Sequence, residues 1–157
     1  MIIVEPSSPL TPGASALLDA SQSLMRRLFS PEENHFLSHD ALAQPDVRFF
    51  IARIGEEILG CAALKLCEGY GEVKSFFVTD AARGRGIGGA LLRQIEDQAR
   101  DEGLTCLRLE TADKLGAAIR LYEGAGYARR DPFGSYEENG TSVFMEKTLP
   151  DLATPAA

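Results

Sequence analysis

The spacing of apolar and polar positions changes several times along the chain, and each change predicts a new element. Ile2–Val4 is a short apolar run that predicts a first strand. Across Ala14–Phe29 the apolar residues recur three or four positions apart, which is typical of an amphipathic helix. Val47–Ile54 and Ile58–Cys67 are apolar runs on either side of Gly55-Glu56-Glu57, and this arrangement predicts a β-hairpin.

The second half of the chain alternates between the two periods. Glu72–Val78 is rich in aromatic and β-branched residues and predicts a strand. Apolar residues from Ile87 to Ala99 then stand four positions apart, which predicts a helix that ends near Gly103. The last predicted elements are a strand at Cys106–Thr111, a helix at Leu115–Ala125 and a strand at Thr141–Lys147.

A further helix is predicted between the first helix and the hairpin. Ser30 is a good N-cap residue, and Pro31 with Glu32 and Glu33 suits a first helical turn. His35 and His39 follow four positions apart, so a helix would place both on one face. They lack the H-E-x-x-H pattern and a clear third ligand, so we predict no metal site.

Composition indicates one globular domain. The chain has 157 residues, of which 45% are hydrophobic and 25% charged, so we expect a single domain over residues 1–150 and a tail over 151–157. It has neither an apolar run long enough to cross a membrane nor a signal peptide, so a cytoplasmic location is expected. The net charge of −7 argues against nucleic-acid binding. Three cysteines without a CxxC motif suggest reduced thiols.

The most informative segment is the glycine-rich turn between a predicted strand and a predicted helix. It runs Arg83-Gly84-Arg85-Gly86-Ile87-Gly88-Gly89. Glycines allow a close approach of the backbone to an anion, and the free N–H groups of a helix N-terminus point towards it. The two arginines add positive charge at the same place. This segment therefore predicts a site for a phosphate-bearing cofactor.

Two other kinds of phosphate-binding turn fit this segment less well. The segment lacks the Gly-Lys-Ser/Thr ending of a nucleotide-triphosphate loop. Gly84–Gly89 does match the dinucleotide pattern G-x-G-x-x-G, and Glu110 loosely fills the place of the acidic residue that binds the ribose. However, such a turn normally follows the first strand of its domain, and here several predicted strands precede it. A nicotinamide-dependent oxidoreductase is therefore the weaker hypothesis.

Two motifs together resemble the GNAT superfamily of N-acetyltransferases. Arg83-x-x-Gly86-x-Gly88 resembles the pyrophosphate loop of that family, and Ala118–Tyr127 resembles its late helix A-x-x-L-Y-x-x-x-G-F/Y. The resemblance runs from about Val47 to Leu149. It implies an α/β fold with a splayed mixed sheet of about six to seven strands, flanked by about four helices. It also implies an enzyme that uses acetyl-CoA.

The resemblance also implies roles for individual residues. Tyr122 would be the general acid that protonates the departing thiolate. The cofactor-binding residues would be those of the turn and of the strand before it: Phe76, Phe77, Val78, Arg83, Gly84, Arg85, Gly86, Ile87, Gly88 and Gly89. Glu72 would be the general base, directly or through water, and strand alternation would put it on the same face as Phe76 and Val78. Glu110 is its rival.

The acceptor is less well defined by the resemblance. We expect a small-molecule amine or an amino acid; the alternatives are a protein or peptide acceptor and a non-catalytic acyl-CoA-binding domain. The resemblance places the region of His35 and His39 in the wall of the substrate cleft. Pro132–Tyr136 is an aromatic turn that either overhangs the acceptor site, forms a homodimer contact or is a plain hairpin loop. Leu115 stands where many family members have an asparagine that contacts the cofactor.

Overall fold

A computed structural model describes residues 1–150, so the predicted tail at 151–157 lies outside the described residues. The elements, in chain order, are strand β1 (Ile2–Pro6), helices α1 (Pro12–Leu28) and α2 (His39–Leu42), strands β2 (Val47–Ile54), β3 (Glu57–Cys67) and β4 (Tyr70–Val78), helix α3 (Ile87–Asp101), strand β5 (Cys106–Ala112), helix α4 (Gly116–Gly124), and strands β6 (Ala128–Arg130) and β7 (Ser142–Thr148). Short 3-10 helices lie at Pro31–Glu33 and Asp80–Ala82.

The seven strands form one mixed sheet in the order β1-β2-β3-β4-β5-β7-β6. Neighbouring strands are antiparallel except β4 and β5, which are parallel. Helix α3 connects this parallel pair, as a crossover between parallel strands requires. The predicted fold class, a mixed α/β sheet of six to seven strands with four helices, is confirmed.

The sheet is buried on both faces. One face packs against α3 and α4 through a core that includes Leu64, Leu91 and Leu109, each at most 1% exposed. The other face packs against α1 and α2 through a smaller core that includes Leu18 and Phe49. Because both faces are covered, β2 and β3 carry runs of consecutive buried apolar residues rather than a strict alternation.

The sheet opens between its two parallel strands. β4 pairs with β5 only from Gly71 to Val73, while β4 continues to Val78 and β5 to Ala112. Within residues 1–150 no strand pairs with the far half of β4 on the β5 side. The divergence leaves a gap in the middle of the sheet, and this gap is the splay that the family resemblance implies.

A β-bulge in β4 lies at the mouth of this gap. Cys61 pairs with Phe77 and Ala63 with Lys74, so two residues of β4 oppose one residue of β3. Ser75 sits in the bulge with φ 51°, a left-handed conformation that is unfavourable for a residue with a side chain. A bulge reverses the facing of every later side chain in the strand. From Phe76 onwards, the side chains of β4 therefore point to the opposite side of the sheet from the one that simple alternation predicts.

Three further details differ from the predictions. The Ser30 signal starts only a single 3-10 turn, with Glu33 accepting a hydrogen bond from the Ser30 N–H at 2.9 Å. His35 lies outside α2 and His39 begins it, so the two do not share a helix face. Strand β6 was not predicted, because three residues carry too little periodicity to be recognised. None of the helices described is long and apolar enough to span a bilayer.

Candidate active site

A central cleft runs through the gap between β4 and β5, with a volume of about 150 Å³. Its walls come from α1, the segment after it, β4, β5 and α4. It is lined, among others, by Ser21, Gln22, His35, Lys74, Ser75, Phe76, Glu110, Thr111, Leu115, Tyr122 and Ser142. The cleft therefore connects the face covered by α4 with the face covered by α1.

Tyr122 lies on the α4 side of this cleft. Its ring meets Phe76 at 5.6 Å and Tyr127 at 5.9 Å between centroids, both edge to face, and only 5% of the residue is exposed. Burial raises the pKa of the Tyr122 phenol well above its usual value of about 10. The hydroxyl is therefore a proton donor across the neutral and moderately alkaline range.

The glycine-rich turn begins helix α3. Gly84 and Gly86 have φ of 76° and 84°, which only glycine adopts without strain. The N–H groups of Ile87, Gly88 and Gly89 form the first turn of α3 and have no acceptor within the helix. A Cβ at Gly84 would meet nothing within 4 Å, so the backbone is open to solvent there. This geometry is compatible with the phosphate site that the glycine-rich sequence predicts.

The side chains of this turn divide into two groups. Arg83 and Arg85 are exposed, and Arg83 makes only a solvent-accessible ion pair with Asp80 at 3.3 Å, so both guanidinium groups are available to an anion. Ile87 is 1% exposed and packs in the core, so only its backbone N–H faces a ligand. A Cβ at Gly88 would approach Leu121 to 2.7 Å, so this glycine allows α3 to pack closely on α4.

Phe76, Phe77 and Val78 follow the bulge and alternate between the two cores. Phe76 and Val78 pack on the α3 and α4 side, and Phe77 packs on the α1 side. The two phenylalanines therefore face opposite ways. Phe76 lies in the cleft wall next to Tyr122, whereas the Phe77 side chain belongs to the core of the other face.

Glu72 lies on the other face of β4 from Phe76 and Val78, so the expectation that all three share a face is wrong. The reason is the bulge at Ser75, which shifts the alternation by one residue. The Glu72 carboxylate is buried and accepts a hydrogen bond of 2.6 Å from the Tyr136 hydroxyl. Lys74 Nζ lies 3.4 Å from the same oxygen.

This buried ion pair borders a side pocket next to the central cleft, with a volume of about 600 Å³. The side pocket is lined by Glu32, His35, Phe36, Leu37, Lys65, Cys67, Tyr70, Glu72, Lys74 and residues 134–139. Tyr136 bridges the two residues of the ion pair, because its hydroxyl donates to Glu72 and also accepts a hydrogen bond of 2.8 Å from Lys74 Nζ. Of the three interpretations of the aromatic turn Pro132–Tyr136, an overhang of the acceptor site agrees with its position along the side pocket.

Glu110 makes a short polar contact with His35 in the cleft. Its Oε2 lies 2.6 Å from His35 Nδ1 and accepts a hydrogen bond of 2.8 Å from the Ser142 hydroxyl. The Glu110 side chain is 12% exposed and that of His35 is 33% exposed. The ring of His35 also meets Tyr136 edge to face at 5.3 Å.

His39 has a different environment. It contacts Ser15 and Asp19 of α1 at 3.2 Å each, and it lines neither the cleft nor the side pocket. Among residues 1–150 no group of three or more His, Cys, Asp or Glu side chains is placed to hold a metal ion. All three cysteines are free thiols, and burial raises the pKa of Cys61 to about 12.

Three residues of this region, His35, Lys74 and Tyr136, were not assigned a role from the sequence. Each lies in a different segment, and only folding brings them together: Tyr136 contacts Glu72 across 64 positions, and His35 contacts Glu110 across 75. The sequence offers only two signals for these residues, the aromatic turn that contains Tyr136 and the pair of histidines that includes His35.

Leu115 occupies the N-cap position of α4 and lines the cleft. It makes no side-chain cap hydrogen bond, which an asparagine at this position can make. The leucine therefore replaces a polar group by an apolar one at the edge of the cleft next to Tyr122.

Comparisons with known proteins agree with this geometry. The sequence model of the acetyltransferase (GNAT) family matches residues 15–127. The chain is 41% identical over 150 residues to a protein of Azospirillum brasilense named IAA acetyltransferase, covering 94% of this chain and 98% of the relative.

Two solved structures show the same fold. A proposed acyl-CoA N-acyltransferase from Klebsiella pneumoniae superposes with a TM-score of 0.80 at 32% identity, covering 95% of this chain and 98% of the other. A GNAT family acetyltransferase from Elizabethkingia anophelis, solved with acetyl-CoA bound, superposes with a TM-score of 0.66 at 21% identity, covering 94% and 98%. At that identity the second likeness establishes the fold alone.

Proposed function

The chain belongs to the acetyltransferase (GNAT) family, and from that premise we propose that it moves an acetyl group from acetyl-CoA to a primary amine of a small molecule or an amino acid. The observation that carries this proposal is the central cleft. It joins the buried Tyr122 phenol on one face of the sheet to a polar, charged region on the other. A donor and an acceptor that enter from opposite faces would meet inside the sheet.

The cofactor side of the proposal rests on backbone groups. The N–H groups of Ile87, Gly88 and Gly89 and the guanidinium groups of Arg83 and Arg85 would hold the pyrophosphate. The unpaired half of β4, residues 74–78, offers its backbone edge to the pantetheine arm. Acetyl-CoA supplies the activated acetyl group.

Tyr122 is the proposed general acid. A thiolate leaves when the acetyl group moves, and a phenol that burial keeps protonated can donate to it. Tyr122 lines the cleft, so its hydroxyl can reach a thiolate held there. Its place beside Phe76, at the end of the β4–β5 gap, is where the thioester would lie.

The side pocket favours a cationic acceptor. Four carboxylates line it, from Glu32, Glu72, Glu137 and Glu138, against the ammonium groups of Lys65 and Lys74. An excess of negative charge attracts an alkylammonium ion to the cleft. We therefore expect amines, especially diamines and basic amino acids, to be better acceptors than amino sugars without further charge.

The proposal is tested by measuring release of CoA thiol from acetyl-CoA across a panel of acceptors. The panel comprises amines, polyamines, amino acids, aminoglycosides and peptides, with IAA added because the relative from Azospirillum brasilense is named for it. Amine-dependent release with a small cationic acceptor supports the proposal. Release with peptides alone would make the chain a peptide acetyltransferase, and no release with any acceptor would overturn the proposed activity.

A further inference from the structure

We propose that His35 is the general base that takes the proton from the acceptor amine, and that Glu110 is the positioning residue that holds it for this task. The inference rests on the proposed function and adds a residue to it. The sequence predicts Glu72 for the role, with Glu110 as its rival. The contacts of His35, Glu72 and Glu110 favour a different assignment of these roles.

The contact between Glu110 and His35 fixes the proton on the ring. A carboxylate only accepts hydrogen bonds, so a distance of 2.6 Å from Oε2 to Nδ1 places the hydrogen on Nδ1. In the neutral ring the other nitrogen, Nε2, carries the lone pair, and no side chain or backbone group within residues 1–150 donates to it. A neutral imidazole with Nδ1 bound to a carboxylate is the arrangement of a base that has been oriented by its partner.

Glu110 is itself held in place. Its side chain is 12% exposed, and the same Oε2 also accepts a hydrogen bond from Ser142 at 2.8 Å. Ser142 is supported in turn by Asn139, whose side-chain amide donates to the Ser142 oxygen at 3.0 Å. This oxygen is therefore occupied on two sides. That occupancy suits an orienting group better than a group that must receive a proton from a substrate.

His35 is fixed from two further directions. Lys74 Nζ donates to its backbone carbonyl at 3.1 Å, and the Tyr136 ring meets the imidazole edge to face at 5.3 Å. The loop that carries His35 is thus tied to β4, to β5 and to the segment before β7. A base needs a fixed position within hydrogen-bond reach of the proton it accepts, and these contacts provide it.

The position of Glu72 argues against a direct role as the base. Its Oε2 accepts from the Tyr136 hydroxyl at 2.6 Å and lies 3.4 Å from Lys74 Nζ. It borders the side pocket, whereas His35 and Tyr122 both line the central cleft. Glu72 instead neutralises Lys74 and orients Tyr136, two of the three groups that contact His35.

The proton transfers balance. An alkylammonium acceptor first releases one proton to solvent. The neutral amine nitrogen then forms a bond to the acetyl carbon and loses a second proton to Nε2 of His35, while the bond from that carbon to sulfur breaks and the sulfur takes the proton of Tyr122. His35 is then an imidazolium ion whose charge Glu110 offsets. Proton exchange with solvent returns both side chains to their starting forms. The products are an amide and a thiol, with no oxidant or reductant needed.

His35→Asn tests the inference, because asparagine keeps a donor for Glu110 and removes the base. We expect CoA affinity to stay unchanged and kcat to fall by about 10²-fold or more. The acid limb of the kcat/KM profile, where protonated imidazole cannot accept a proton, should disappear. The charged and titratable groups around the ring are Glu110 on β5, Glu72 and Lys74 on β4, Tyr136 before β7, and Glu32 and Glu33 in the preceding 3-10 turn.

His39→Asn is the matched control, because it makes the same change four positions away, outside the cleft. It should keep the wild-type rate and pH profile. Glu110→Gln should lower kcat more than it changes KM, since the imidazole loses the carboxylate that orients it. The double variant His35→Asn with Glu110→Gln should have nearly the same kcat as His35→Asn alone, because Glu110 acts through His35.

The outcomes separate this inference from the proposed function. Wild-type turnover and an intact acid limb in His35→Asn would overturn the role of His35 while leaving the acetyltransferase activity in place. Loss of the acid limb in Glu72→Gln instead of His35→Asn would return the base to Glu72. Absence of thiol release by the wild-type protein with every acceptor would overturn the activity and, with it, this inference.

Discussion

The two faces of β4 on either side of the central cleft are built on opposite physical principles. On the α4 face, Tyr122 and Phe76 lie among apolar side chains, and desolvation alone keeps the Tyr122 phenol protonated. On the α1 face, Glu72, Lys74 and Tyr136 satisfy one another through hydrogen bonds and opposite charge. An acid needs only to be kept neutral, whereas a base and a charged acceptor need oriented partners. The bulge at Ser75 separates the two environments along a single strand.

The largest expected effect comes from removing the phenol on the apolar face. Tyr122→Phe should keep CoA affinity and lower kcat by about 10²-fold or more, since phenylalanine keeps the ring but has no proton to donate to the thiolate. Because burial raises the pKa of Tyr122, phenol ionisation should not lower the wild-type rate below about pH 10. Steady-state kinetics and calorimetry of CoA binding measure both.

Tyr127→Phe is the control for this prediction. It makes the same change on a neighbouring buried ring that does not line the cleft. Equal losses of kcat in the two variants would mean that Tyr122 acts through packing. The apolar face would then supply no proton donor, which would contradict the comparison of the two faces.

A second prediction concerns the start of α3. Gly86→Val should weaken CoA binding by about 10-fold or more, because it distorts the backbone that presents the N–H groups; a lost hydrogen bond to a charged group is worth about 1.5–3 kcal/mol. Gly103→Val is matched to it: Gly103 lies just beyond the other end of α3 with φ 80°, against 84° for Gly86. Both variants should lose stability, and only Gly86→Val should lose affinity for CoA in calorimetry.

On the charged face the first effect expected is on stability. Glu72→Gln leaves the buried Lys74 without its counter-charge, and we expect the free energy of unfolding to fall by about 1–3 kcal/mol. Tyr136→Phe should cost about 1 kcal/mol and keep the ring contact to His35. A double-mutant cycle by urea unfolding should give coupling between the two residues; strict additivity would contradict the network.

The smallest expected effect is at the boundary between the faces. Ser75 has φ 51°, and its buried hydroxyl has no hydrogen-bond partner within residues 1–150. Ser75→Gly removes both the backbone strain and the hydroxyl, while Ser75→Ala removes the hydroxyl alone. We expect Ser75→Gly to be more stable than Ser75→Ala by about 1 kcal/mol. Thermal unfolding that ranks the alanine variant equal or higher would mean that the bulge stores no strain.

The two faces also differ in how well the sequence predicts them. The apolar face is encoded in contiguous motifs, so the turn at Arg83–Gly89 and the helix that carries Tyr122 were recognised from spacing. The charged face depends on contacts between distant segments, such as His35 with Glu110, and no local pattern specifies them. The bulge at Ser75 is not predicted, because a serine gives no sequence signal for positive φ. Alternation without the bulge puts Glu72 on the same face as Phe76, and the structure has it on the other face.

The fold followed the predictions closely because most of its elements are long and strongly periodic. Helix α3 and strands β2 and β3 were placed to within a residue or two of their observed ends. The short elements were not, since α2 and β6 are held by their neighbours rather than by their own periodicity.

The central claim is that transfer occurs inside the β4–β5 gap, with the donor on the apolar face and the acceptor on the charged face. A crystal structure of the complex with CoA tests it most directly. The account predicts the pyrophosphate on the N–H groups at the start of α3, and the sulfur within about 3–3.5 Å of the Tyr122 hydroxyl, with the open side of the gap facing His35. A sulfur atom away from Tyr122, or a pyrophosphate bound anywhere other than this turn, would contradict it.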